Sequence, residues 1–360
     1  MFVGPGDRAG RKRVTGLANW FENVSIVAPN ATVPAVSFTV VSTAADTDAV
    51  IAPIGQGAFL LAVPNNLVSG GKKRGVYGVD LQLRRTTNTM VAAAPHSGLF
   101  AGRNNQIDPG SSSPGCMGIF AGFGNAITGT LQTTGSAIVG GNGNIINDNG
   151  GIGGGWQLGG EFCTLNLSSG IDYQFSIGGY SNNVTGKGAG AIGGRSQSST
   201  SNYGLTLCYQ AKTRGCESAI AQGCNGGGIG TCQREYFVLG IQITGAVSGI
   251  LASSAIAADN TNQVGPFPAA SVFGFVGTVV CRSTANDVSM WQISGVLKNS
   301  SGTVSMVGST VAAPVQDAGL AASAVVLSAD NVNKCLAITV TGIAGVTTTW
   351  TASVDTTERV

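Results

Sequence analysis

Charge is what this sequence has least of. Only 10% of its 360 residues are Asp, Glu, Lys or Arg, against roughly 25% in an ordinary soluble domain. A net charge of +2 gives no global drive toward nucleic acid or an anionic membrane. Disorder is excluded as well, because disordered chains combine high net charge with few apolar residues, and here 43% are apolar. A chain that folds with so little charge implies that much of its surface is buried between subunits. There is one histidine, His96, so any histidine-based triad would have to use it; beside Pro95 it reads as a turn residue. With 11 prolines and no three-residue glycine period, a collagen-like helix is excluded. No apolar run approaches the roughly 20 residues of a membrane-spanning helix; Ala58 to Val63 is far too short. The opening MFVGPGDRAGRKR has no apolar signal-peptide core. Synthesis in the cytosol without export is therefore expected, and with it free thiols at the eight cysteines.

Glycine is abundant instead, at 56 residues. Between glycine-marked turns the first third of the chain carries short alternating runs. VPAVSFTVV from Val33 to Val41, the run Ala58 to Val63, and Val79, Leu81 and Leu83 alternating with Asp80, Gln82 and Arg84 all read as strands. From about residue 97 to 245 a loose repeat takes over: GLFAGRNNQI from Gly98, GIFAGFGNAI from Gly118, SAIVGGNGNII from Ser136, FSIGGYSNNVT from Phe175, GAIGGRSQSS from Gly190. The unit is small–Ile/Leu–Gly–Gly–x–x–Asn, spaced about 15 residues late in the region and longer before. One such rung cannot bury its apolar residues alone, but stacked rungs share a continuous core, as in solenoids. Asn104, Asn105, Asn125, Asn144, Asn182 and Asn183 fit turns through local side-chain bonding. After Pro266 and Pro268 six alternating runs return, GTVVCR, VSMWQISGVLK, TVSMVGS, SAVVLSA, CLAITVTG and TTTWTASV. They predict an antiparallel sandwich, with Trp291 and Trp350 at least partly inside.

The expected organisation is all-β. An N-terminal arm (1–30) and an N-terminal β-region (31–96) precede a Gly-rich β-roll or solenoid (97–245). A hinge (246–275) leads to a C-terminal antiparallel β-sandwich (276–360). A narrow roll exposes apolar edges unless copies share a core. A homotrimer is therefore predicted, with Ile138, Ile177, Ile192 and Ile220 facing inward.

Three stretches resemble bacteriophage tail fibres and tailspikes. IAPIGQGAFLLAVPNNLVSGGKKRGVYGVDLQLRR, from Ile51 to Arg85, is similar to the segment before the β-roll of such fibres. It has a Gly-x-x-Arg-Gly step followed by Val-Asp-Leu-Gln. The Ile–Gly–Gly–x–x–Asn rungs resemble the heads of trimeric adhesins and phage fibres. VSMWQISGVLK through VTGIAGVTTTWTASVDTTE resembles a fibre C-terminal β-domain. The resemblance implies a virion structural protein, assembled in the host cytoplasm, that mediates adsorption to the host surface as a homotrimer. Two further roles stay open: a trimeric capsid decoration protein and a polysaccharide depolymerase.

The residues that could carry chemistry are few. Arg8, Arg11, Lys12 and Arg13 form a local basic cluster, either a solvated arm or an anchor on other virion proteins. Trp156, Tyr173, Tyr180, Tyr203 and Tyr209 could stack on a cell-surface glycan or pack at an interface. Cys208, Cys216, Cys224 and Cys232 recur every eight residues, a poor spacing for zinc. On rungs of about 16 residues Cys208 would lie above Cys224, and Cys216 above Cys232, as small core residues. Asp108, Asp148, Glu161, Asp172, Glu217 and Glu235 share no spacing that would pair them as glycosidase carboxylates. No enzymatic activity, metal, cofactor, nucleic acid or membrane insertion is expected.

Overall fold

The computed structural model describes the strands Trp20–Ser25 and Ala35–Val40, Pro53, and residues 55–108, 116–129, 135–148, 151–167, 170–224 and 227–360. The chain divides into two units, Met1–Ile54 and Gly55–Val360. In the first, Trp20–Ser25 pairs antiparallel with Ala35–Val40, Trp20 opposite Val40. The basic cluster Arg8, Arg11, Lys12 and Arg13 lies outside the described residues.

The second unit opens with a parallel β-solenoid. Ten strands stack in series, from Phe59–Leu60 and Val79–Asp80 through Gly98–Leu99 and Gly170–Ile177 to Ile220–Gly223. Six shorter ones, from Gln106–Asp108 to Ser198–Ser199, form a second parallel sheet. The parallel pairing thus begins inside the span 31–96 read as an N-terminal β-region. Partners on adjacent strands lie 19 or 20 residues apart from Phe59 to Phe175, and 15 apart from Phe175 to Ile220. The segment from first to second sheet keeps one length throughout: Gly98 to Ile107, Phe175 to Val184 and Gly190 to Ser199 are equivalent. Only the return to the next rung shortens, which is why the early repeats look irregular in sequence.

Two inward columns make the core. Ile107, Ile127, Ile146, Leu165, Val184 and Ser199 stack on the short sheet. On the long sheet the column runs Asp80, Leu99, Ile119, Ile138, Gln157, Ser176, Ala191, Thr206, Ala221 and Glu235. Every one of these is buried. Each buried Ile or Leu contributes about 1.5–3 kcal/mol. The hydrophobic cluster along them extends from Ala92 to Ala191.

Between the columns runs a file of amides. The Asn105 N–H donates to Gln82 Oε1, the Asn125 N–H to Asn105 Oδ1, the Asn144 N–H to Asn125 Oδ1 and the Cys163 N–H to Asn144 Oδ1, at 2.7–3.0 Å. Each Asn Nδ2 donates to carbonyls at the glycine corner, as Asn144 does to Gly160 O at 3.1 Å. Asn105, Asn125, Asn144 and Asn182 bond locally at the corner turns, as expected, and all are buried. The corner turns tightly enough that each inner asparagine satisfies carbonyls which would otherwise be orphaned. Gly122 is indispensable there. Its φ is +107°, and a Cβ would strike the Gly141 carbonyl of the next rung.

The C-terminal region is the predicted sandwich, and all six expected runs are strands. Its large sheet is continuous with the solenoid's long sheet through Cys232–Thr244, which pairs antiparallel with both Ile220–Gly223 and Thr347–Arg359. Ser271–Ser283, Val288–Ser300 and Thr303–Val311 complete it. Ser248–Ile250, Cys335–Thr341 and Ala324–Asp330 form the opposing sheet. Phe237, Phe273, Val279, Leu336 and Ile338 fill the space between. Trp291 and Trp350 are buried and stack at 5.3 Å; the Trp350 indole N–H donates to Thr348 Oγ1 at 2.9 Å. Among the described residues the single helical element is the 3-10 turn Ala318–Leu320.

The four isoleucines expected to face inward divide between two faces of the chain. Ile138 is interior, but Ile177, Ile192 and Ile220 project from the outer face of the long sheet. The strand period of two turns out whatever flanks an inward residue, and here Ser176, Ala191 and Ala221 hold the inward places. The cysteines also depart from a stacked core. Cys216 is buried, Cys208 and Cys224 are exposed, and Cys232 is half-buried. With 15-residue rungs Cys208 stands opposite Gly223 rather than Cys224.

Candidate functional site

The outer face of the long sheet is the most unusual surface of the second unit. Phe100, Phe120, Val139, Leu158, Ile177 and Ile192 form one column on successive rungs, and each is exposed. Phe100 and Phe120 stack at 5.1 Å. The adjoining outward column begins with the small residues Gly98, Gly118 and Ala137 before Trp156 and Phe175. The Phe100 ring folds over Gly98, where a Cβ would meet it. The result is a groove of about 460 Å³ walled by Tyr77, His96, Phe100, Phe120 and Trp156. His96 has the positive φ of a turn, 53°, and stacks on Tyr77 at 5.0 Å. Trp156 and Tyr173 are both more than half exposed and share this face. Past Gln222 and the Arg234–Asp355 ion pair, Tyr236, Val238, Val272, Val276 and Val280 are exposed on the C-terminal sheet. Soluble monomers rarely leave so long an apolar surface in water.

A second column runs along the glycine corner. Arg103, Phe123, Asn142, Glu161, Tyr180, Arg195 and Tyr209 occupy successive rungs. The Arg103 guanidinium lies 4.5 Å from the Phe123 ring and that of Arg195 lies 5.2 Å from Tyr180. Asn142 Nδ2 donates to Glu161 Oε1 at 3.0 Å. Phe162 meets Tyr180 edge-on at 5.8 Å. Rings, guanidinium groups and an amide–carboxylate pair thus alternate at rung spacing, about 4.8 Å. Such a strip offers flat apolar faces and hydrogen-bonding edges side by side, the chemistry by which a saccharide is held. Of the five aromatic candidates, this column brings together Tyr180 and Tyr209. Tyr203 stands apart on a turn with φ 55°, where its N–H donates to Lys187 O. Phe100, Phe120, Arg103 and Arg195 are absent from the sequence-derived set. The Phe shared by GLFAG and GIFAG at the same repeat position is the signal that marks the first two.

The carboxylates stay scattered, with one exception. Glu161 accepts from Asn142 and Glu217 from Asn202, each at a separate corner. Asp108 is described; the side chains of Asp148 and Asp172 lie outside the described residues. Glu235 lies beside Glu358, which no sequence spacing links to it, and both are buried. Arg214 Nε contacts Glu358 Oε2 at 2.5 Å. Burial, and then the charge of Glu358, hold the Glu235 carboxyl well above the usual range. Both carboxyls are buried, so this pair does not line the open gap that a sugar ring needs in a glycosidase. Among the described residues no group of three His, Cys, Asp or Glu is placed to hold a metal ion.

The residues that carry the fibre-like motif in the sequence have structural work. Arg74 Nε and Arg85 Nη2 both bind Asp80 Oδ2, at 2.6 and 3.1 Å, with all three side chains buried. Gln82 starts the amide file and donates to Met90 O and Asn105 O.

No family model matches the chain, and no curated protein matches it. Among solved structures it is similar to the tailspike protein of Acinetobacter phage vB_ApiP_P1, at 10% identity and a TM-score of 0.19. The match covers 79% of this chain and 59% of that one, so the chain spans well under two thirds of the tailspike's length.

Proposed function

We propose that this chain is a phage tail protein of the fibre or tailspike kind that works as a homotrimer and binds the host surface without turning over a substrate. The observation that carries the reading is the exposed apolar column from Phe100 to Ile192 on the outer face of the long sheet. A chain with 10% charged residues keeps this face out of water by packing it against other copies. In that arrangement Trp156, Tyr173, Ile177 and Ile192 are subunit contacts. The corner column with Tyr180, Arg195 and Tyr209 remains open to a cell-surface glycan. Repetition along each chain and among three chains builds avidity from weak contacts. The N-terminal arm joins the particle, where the basic cluster meets an acidic neighbour.

Oligomeric state tests the core of this reading. Sedimentation of the wild type is expected to show a trimer. Ile192→Asp, on the outer face, should give a folded monomer, whereas Ile138→Asp, inside the solenoid, should not fold at all. A wild-type monomer would overturn the proposal. Purified trimer is expected to adsorb to host cells and to release no oligosaccharide from their polysaccharide. Oligosaccharide release would make the protein a depolymerase. Failure to adsorb, with density on the capsid lattice of the intact particle, would make it a decoration protein.

A further inference from the structure

We propose that Cys224 and Cys232 are a redox-responsive pair that closes into a disulfide and locks the hairpin between the last parallel rung and the C-terminal sheet. Ile220–Gly223 and Cys232–Thr244 run antiparallel, with Ile220 opposite Tyr236 and Gly223 opposite Gln233. The next step of this register sets Cys224 directly opposite Cys232. The Cys224 N–H donates to the Cys232 carbonyl at 3.0 Å, and the Cys224 thiol lies 3.3 Å from the same oxygen. Residues directly opposite in an antiparallel pair project to one side, with Cα atoms about 4.5–5.5 Å apart. That falls inside the roughly 4.4–6.8 Å range of disulfides.

Access distinguishes this pair from the other cysteines. Cys224 is exposed and Cys232 half-buried, whereas Cys163, Cys216, Cys281 and Cys335 are buried. Cys208 is exposed but faces Gly223. Cys116 is exposed far down the solenoid, two strands before Trp156. Between the two cysteines the sequence runs NGGGIGT, residues 225–231, the segment that the bond would enclose.

The chemistry is thiol–disulfide exchange with a low-molecular-weight disulfide such as oxidised glutathione. One thiolate attacks the small disulfide, forms a mixed disulfide and expels one glutathione thiolate. The second cysteine thiolate attacks the protein sulfur of that mixed disulfide and expels the other. The two cysteines lose two electrons and two protons, and the glutathione disulfide gains them as two thiols. The bond is absent in a reducing cytosol and forms once the protein meets an oxidising medium. The hydrogen bond with Cys232 holds the Cys224 thiol above its ordinary range, so exchange should quicken as pH rises and thiolate forms.

The full-length protein is incubated with oxidised glutathione, alkylated under denaturing conditions and mapped by peptide mass. The expected result is an internal peptide link between Cys224 and Cys232, with six of the eight cysteines still free. Cys224→Ser and Cys232→Ser should form no internal disulfide. Protease cleavage between Cys224 and Cys232 should slow at least severalfold in the oxidised wild type and remain unchanged in both variants. Eight free thiols after treatment, a bond to any other cysteine, or a bond between two chains would each overturn the proposal.

Discussion

Both ends of the solenoid's inner column finish on a buried carboxylate, yet the two are neutralised in opposite ways. At the N-terminal end Asp80 has two arginines. Arg74 and Arg85 reach the same oxygen, and their other N–H groups donate to the carbonyls of Lys72, Met90 and Gln82. At the C-terminal end two carboxyls, Glu235 and Glu358, share Arg214. Thr356 Oγ1 also donates to Glu358, the Cys216 thiol is nearby, and Glu235 Oε1 has no partner. Burial raises the Glu358 carboxyl too, against the pull of Arg214. At the first end two cations pair with one carboxylate. A surplus of acid makes the second end hold a proton. The first closes the solenoid core, and the second sits where parallel strands give way to the antiparallel sheet.

The sharpest break in this comparison is Asp80→Ala. It strands two arginines in a dry site and should cost about 3–5 kcal/mol. Denaturant unfolding measures it, and a loss below 1 kcal/mol would mean that the site is wetter than its burial implies. Glu235→Gln should act with the opposite sign. A carboxyl whose pKa is raised by folding binds its proton more tightly in the native chain. Its contribution is intact below the ordinary carboxylate pKa and is lost as pH rises through the raised value. Wild-type stability should therefore decline from about pH 4.5 upward, and the Gln variant should lose that slope. At pH 8 the variant should be more stable by about 1–3 kcal/mol, the scale of an uncompensated buried polar group. An unchanged pH profile would place the proton elsewhere. Between the two ends, Cys163 interrupts the amide file, because its sulfur offers no amide oxygen to the next rung. Cys163→Asn should restore the file and raise stability by about 0.5–1.5 kcal/mol. A lower unfolding midpoint would show that the Gly160 corner has no room for the larger side chain.

Local pattern accounts for much of the architecture. Alternation marked the six C-terminal strands, because a strand buried on one side must alternate. Gly-rich spacing marked stacked rungs, because such a unit cannot bury itself alone. Trp291 and Trp350 were legible as core, sitting on alternating strands. The candidate surface was legible only in pieces. Tyr180 and Tyr209 stood out as aromatics, but their alignment with Arg195 depends on the rung length, which changes from 19 to 15 residues at Phe175.

Which residues alternate was written in the sequence; which of the two alternating sets faces inward was decided by tertiary structure. Ile177 and Ile192 look like core beside Ser176 and Ala191, yet the narrow late rungs accept only the smaller pair inside. Asn125 and Asn144 look like turn residues, yet stacking supplies each with carbonyls from the next rung and so makes burial affordable. The meeting of Glu235 with Glu358, and of Cys224 with Cys232, follows from strand register. Register is set by contacts between distant segments, so no local spacing encodes it.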